Sequence, residues 1–237
     1  MVSLGEAAED EAPFSYKITK AYASSSLEVR ETVKKAVRDV PMFSNGYIWS
    51  QENSMRFEKT GSYLYDTNAS FISAVAEICK WEASTEFLNQ IDVNLKENKD
   101  ISGAMTVGEK FVKAIEYFFD TEDINGGGIR FNKDDNLVYI LTKDNDGTEE
   151  GLPSNIFFNY RFGYLDLYSN IMFYEAMNDA STVYSMLGDD VNSKKYLDIA
   201  KKNRQAINKT FFKDTRYVGC IDENDKIYDY GFAALFR

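Results

Sequence analysis

The chain has 237 residues and no histidine among them, and that absence narrows the chemistry its side chains can do. Serine–histidine and cysteine–histidine catalysis drop out with the imidazole, as does histidine-ligated zinc. Acid–base work near neutral pH must fall to carboxylates, tyrosines or lysines. Carboxylates are plentiful, with 38 Asp and Glu against 27 Lys and Arg. Two stand where long apolar helices are expected to begin: Asp66 in SYLYDTNASF and Asp166 in GYLDLYSN. Each has two readings. An aspartate there caps its helix, worth about 1 kcal/mol, or it hydrogen-bonds the hydroxyls of a bound sugar. The polar segment 143–160 carries a further run of acids and aromatics. Loops of that length inside a helical domain are usually functional.

The aromatic residues point the same way. Tyr47, Trp49, Tyr63, Tyr65, Tyr160, Phe162 and Tyr164 cluster in the stretches before the apolar helices, with Arg56, Arg130 and Arg161 close by in sequence. Sugar rings present apolar C–H faces that stack on aromatic rings, while arginine and asparagine take the hydroxyls. Any one of these rings can equally be core. Trp81 falls at a helix end and is assigned to packing, and Cys79 in an apolar run reads as a small core residue. With Cys220 so distant, the two cysteines make neither a disulfide framework nor a zinc site. The acidic tips NKDDN and DENDKIYD lack EF-hand spacing and read as ordinary turns. No metal and no cofactor are expected.

The formal charge of −11 argues against nucleic acid and anionic membranes, because phosphate binding needs clustered Lys and Arg. Lys194, Lys195, Lys201 and Lys202 read as the solvated face of a surface helix. Residues 1–13 form an acidic arm unlike a signal or transit peptide, and no apolar run is long enough to span a bilayer. The sequence reads as that of a water-soluble domain over residues 14–237, with oligomeric state left open.

The elements that would position these groups are mostly helical. The pattern predicts a modest helix over 26–40 ended by Pro41, a turn at Asn45-Gly46, and an apolar helix from Asp66 or Thr67. A partner helix over 85–98 is expected to turn Phe87, Leu88, Ile91 and Leu95 inward, followed by a helix over 107–119. Alternation in GIRFNKDDNLVYILTKDNDG predicts a β-hairpin turning at Asp134-Asp135-Asn136. From Leu165 to Leu187 apolar residues recur in steps of three and four over more than half the girth, which marks an inner helix. Gly188 ends it, and Asp189 or Asp190 begins an outer helix with a narrower stripe through Tyr196, Ile199, Ala200, Ala206 and Ile207. Two short strands are expected around Glu223-Asn224-Asp225.

Wide-faced and narrow-faced helices paired by short turns, with aromatic and acidic loops between, resemble the six-hairpin glycosidases. The resemblance spans 45–237 and rests on GYIWS with SYLYDTNASFISAV, and on GYLDLYSNIMFYEAMNDASTVYSMLGD followed by AKKNRQAINKTFF and RYVGCID. It implies a mainly α fold, the αα-hairpins of an (α/α)6 toroid with small β-hairpins in the loops. Only six or seven helices fit here, so it implies half to two-thirds of such a barrel or a reduced relative. It implies glycoside hydrolysis or binding, with an oligosaccharide or glycoside as partner. Position in the family points to DNDGTEEGLP, making Asp146, Glu149 and Glu150 candidates for the general acid. The second carboxylate would lie beyond Arg237. Substrate contacts would come from Tyr47, Trp49, Arg56, Tyr65, Asp66, Arg161, Tyr164 and Asp166. The alternatives are a non-catalytic helical-hairpin module that binds a protein, and an inactive barrel fragment. Strict arrays repeat at a fixed period, whereas the intervals between hairpins here are unequal.

Overall fold

A computed structural model describes residues 26–48, 66–92, 104–120, 129–140 and 164–228. The described residues are mainly helical, with small antiparallel sheets. Helix α1 (Leu27–Asp39) starts at Ser26, whose hydroxyl accepts the Val29 N–H, and stops before Pro41. Its last turn is closed from outside by Lys110. That buried ammonium donates to the carbonyls of Arg38 (2.8 Å) and Val40 (2.7 Å) and to the Asp92 carboxylate. A cation at the negative end of the helix dipole, with all three protons used, is a sound way to bury a charge. Burial lowers the Lys110 pKa, and the Asp92 carboxylate works in the opposite direction.

The Asn45-Gly46 turn leads the chain back to the core. Asn45 Oδ1 accepts the Tyr47 N–H, and Gly46 has φ +89°. A Cβ at Gly46 would lie 2.4 Å from the Lys113 carbonyl oxygen, so only glycine fits that approach.

Helix α2 (Thr67–Glu82) is buried along most of its length. Over 85–92 the expected partner takes another form; the rest of 85–98, with Leu95, lies outside the described residues. Only a 3₁₀ turn, Glu86–Asn89, is present before the backbone goes extended at Gln90 and Ile91 bridges Thr106. Phe87 and Leu88 are buried, but Ile91 is 56% exposed. The competing pull is the capping box of α3 (Val107–Glu116), where Thr106 and Glu109 satisfy each other's backbone N–H groups. That box, and the draw of Asp92 towards Lys110, hold 90–92 straight beside 105–107. A 3₁₀ turn, Tyr117–Phe119, prolongs α3.

Strands β1 (Ile129–Asn132) and β2 (Leu137–Ile140) form the expected hairpin, with Asn136 left-handed at φ 63°. Strand β3 (Leu165–Asp166) runs directly into the inner helix α4 (Leu167–Met186), and Gly188 (φ 73°) precedes the outer helix α5 (Asp190–Phe211), capped by Asp189. After it come the pair β4 (Phe212–Lys213) and β5 (Arg216–Tyr217), then β6 (Cys220–Ile221) and β7 (Ile227–Tyr228). Strand β6 pairs with both β7 and β3, so the end of the described chain returns to the start of α4.

The main core lies between α2, α3, the β1–β2 hairpin and α4. Its centre is a group of phenylalanines, Phe173 lying 5.1 Å from Phe118 and from Phe131 between ring centroids. Cys79 is within it, its thiol pushed up to about 11 by burial. Helices α2 and α4 run parallel and in step. Tyr168 at the start of α4 reaches Asp66 at the start of α2, and Asp179 near the end of α4 meets Lys80 at 3.1 Å. Helix α5 returns antiparallel on the outside of α4.

Candidate functional site

The parallel packing of α2 and α4 brings both helix-start aspartates to one end of the molecule. Asp66 is 3% exposed and Asp166 1%. Asp166 Oδ2 accepts the Ser169 N–H at 2.6 Å, a true N-cap. Burial pushes its carboxyl up to about 6, although the Ser169 and Tyr168 hydrogen bonds pull it down. Asp66 stands at the N-cap position of α2 but its side chain does not cap that helix. Instead Asp66 Oδ2 accepts the Tyr168 hydroxyl at 2.9 Å. One turn of α4 therefore serves both carboxylates.

Buried asparagines fasten the same end. Asn68 Oδ1 accepts the Ile48 N–H at 2.9 Å, and its amide donates to the carbonyls of Gly46 and Ala114. Asn170 Oδ1 accepts the Val138 N–H at 2.9 Å, and its amide donates to the carbonyls of Val138 and Asp166. Asn203 of α5 reaches Asn170 Oδ1 and the Asn136 carbonyl. Each clamp holds an extended segment against a helix start, which positions the points where the chain leaves and re-enters the described fold. Segment 49–65 joins at Ile48 and Asp66; segment 141–163 joins at Ile140 and Tyr164, which bridge each other.

The remaining sequence-derived candidates divide three ways. Tyr47 is 1% exposed and packs against Tyr117 at 5.6 Å, while the buried Arg130 guanidinium lies 4.2 Å over the same Tyr117 ring. Those two groups are brought together, in the core. Tyr164 is half-buried, edge-on to Tyr139 at 4.8 Å, with φ 56°. A bulky residue held in that left-handed region stores about 1–3 kcal/mol, a kind of strain that gathers at functional sites. Asp146, Glu149, Glu150, Trp49, Arg56, Tyr65 and Arg161 lie outside the described residues, as do Tyr63, Tyr160 and Phe162.

Sequence reasoning missed Tyr168, Asn68 and Asn170. Tyr168 falls on the apolar face of α4 and reads as packing. The two asparagines did carry a signal, since an amide on the buried side of a greasy helix must find partners. Among the described residues no group of acids or cysteines is arranged to hold a metal ion, and no helix is long and apolar enough to cross a membrane. No family model matches this sequence, and no curated protein is significantly similar to it.

Proposed function

We propose that the chain is a carbohydrate-active domain of glycoside-hydrolase type, resembling the six-hairpin glycosidases. The observation that carries this reading is the convergence of Asp66 and Asp166 at one end of two parallel inner helices, where 49–65 and 141–163 both join the fold. Those segments supply the acids Asp146, Glu149 and Glu150 and the stacking and hydroxyl-binding groups Trp49, Tyr65, Arg56 and Arg161. Parallel inner helices with an antiparallel outer partner are also what αα-hairpins require in order to stand side by side around a ring. The burial of Asp166 that keeps its carboxyl near half-protonation at pH 6 indicates a low-dielectric setting at this end.

In this reading one acid of 146–150 protonates the glycosidic oxygen, and turnover further requires a second carboxylate, to which no residue of 1–237 is assigned, that activates water or attacks the sugar directly. Asp66, Asp166 and Tyr164 shape the floor beneath the bound ring. The test is hydrolysis of a panel of aryl α-glycosides and α-L-rhamnosides by the full chain, with Glu149→Gln, Glu150→Gln and Asp146→Asn alongside. Turnover that one of these substitutions reduces by at least about 100-fold supports the assignment. Turnover untouched by all three moves the acid elsewhere. A sugar-induced rise in melting temperature without turnover leaves a binding domain, and no such rise with any sugar of the panel removes the carbohydrate reading altogether.

A further inference from the structure

A cleft of about 750 Å³ lies between the end of α3, the β1–β2 turn and the outer helix α5, and neither Asp66, Asp166 nor Tyr164 lines it. Its size is that of a small-molecule site. The chain carries a formal charge of −11. Yet among the described residues four lysines line this cleft, Lys113, Lys133, Lys195 and Lys202, against two carboxylates, Glu116 and Asp120. Among the described residues none of those four lysines forms an ion pair, whereas Lys194 on the same helix α5 is matched to Asp198. Lys195 sits 4.8 Å over the Tyr196 ring, and Tyr196 is itself stacked on Tyr184 at 5.3 Å. The ammonium is thus carried on a fixed aromatic face at the edge of the cleft.

Four ammonium groups against two carboxylates leave a surplus of positive charge around this space, and a ligand bearing two or more negative charges neutralises it. The cations are all lysine. Lysine meets phosphate as a compact point charge with three donors, which suits a multiply charged phosphoryl group at the edge of an open cleft. We propose that this cleft is a binding site for a small phosphorylated compound carrying at least two negative charges. Its phosphoryl oxygens lie among the four lysines and its body rests against Tyr196 and the rings beside it.

Calorimetric titration of inorganic pyrophosphate into the full chain at low ionic strength tests this, with inorganic phosphate and glucose for comparison. The expected result is saturable single-site binding of pyrophosphate, weaker binding of phosphate and none of glucose. The double variant Lys133→Gln/Lys202→Gln weakens pyrophosphate binding by at least about 5-fold, the effect of removing two partly solvated charge contacts. Lys194→Gln/Lys201→Gln makes the same charge change outside the cleft and leaves binding unaltered. All four substituted lysines are exposed, and a thermal melt establishes that each variant is folded. No saturable pyrophosphate binding, or equal weakening in both double variants, overturns the proposal. So does glucose binding that disappears with Lys133 and Lys202, which would make the cleft a neutral-sugar site.

Discussion

The first turns of α2 and α4 each carry an aspartate and a buried asparagine, spaced and used differently. In α2 the two are Asp66 and Asn68; in α4 they are Asp166 and Asn170. Both amides do the same work, gripping the backbone of an extended neighbour through a donor and an acceptor at once. The carboxylates do not. Asp166 is spent on its own helix, where it caps Ser169, and Asn170 also reaches back to the Asp166 carbonyl. Asp66 leaves its helix uncapped by any side chain and accepts a hydrogen bond from Tyr168 of the other helix. The carboxylate at the start of α4 is therefore used within its own helix, while the one at the start of α2 is held by α4. An aspartate before an apolar helix does not by itself specify a cap; the neighbour that packs against it decides.

The largest expected effects come from the amides. Asn170→Ala strands the buried N–H and carbonyl of Val138, and Asn68→Ala strands the Ile48 N–H with the carbonyls of Gly46 and Ala114. Each loss is expected to cost about 3 kcal/mol in urea denaturation, because buried backbone groups without partners bear the full desolvation penalty. Amide exchange should localise the damage, at Val138 in one variant and Ile48 in the other. A loss below about 1 kcal/mol in either would show that the clamp merely fills space, and the parallel between the helix starts would break.

Asp166 gives a pH-dependent effect that follows from its burial. The folded state binds its proton more tightly than the unfolded chain, the carboxyl standing at about 6 against an ordinary 3.8. The stability it contributes is complete below the unfolded value and is lost as pH rises from about 4 through about 6, by roughly 3 kcal/mol. Asp166→Asn keeps an acceptor for the Ser169 N–H and stays neutral. Denaturation midpoints measured across that range should lose this slope, and the variant should be the more stable protein at neutral pH. If Asp166 also shapes a sugar site, the same variant gains stability and loses sugar binding, a familiar opposition at functional positions.

Much of this comparison was legible in the sequence, and the part that was not has a common cause. The α4–α5 hairpin announces itself through the recurring apolar positions from Leu165 to Leu187, Gly188 and the Asp189 cap, all local signals. The β1–β2 hairpin follows from alternation around Asp134-Asp135-Asn136. The helix expected from 85 onward is not continued through 90–92, because Asp92 answers to Lys110, eighteen residues on, and Ile91 to Thr106. In the same way Tyr47 reads as a loop aromatic until Tyr117 and the Asn45 turn fold it inward. The crossing of Tyr168 to Asp66 spans a separation of 102 residues and leaves no trace in local period or propensity. Helix starts could be read; which partner each start answers to could not.

The far ends of the two helices offer the smallest test, and it separates backbone conformation from packing. Both helices are followed closely by a left-handed residue, Ala83 with φ 47° after α2 and Gly188 with φ 73° after α4. Glycine takes that conformation freely, whereas an L side chain there pays roughly 1 kcal/mol or more. Ala83 is exposed, and a Cβ at Gly188 would meet nothing within 4 Å, so neither site has a packing reason for its residue. Ala83→Gly is expected to raise stability by about 0.5–1 kcal/mol, and Gly188→Ala to lower it by a similar amount. The looser unfolded chain that glycine brings trims both effects alike. Opposite signs in the two melts would show that α2 and α4 close by the same device with different residues. A loss at Ala83 would mean that its methyl group orders the loop after α2, and the two helices would then differ at both ends.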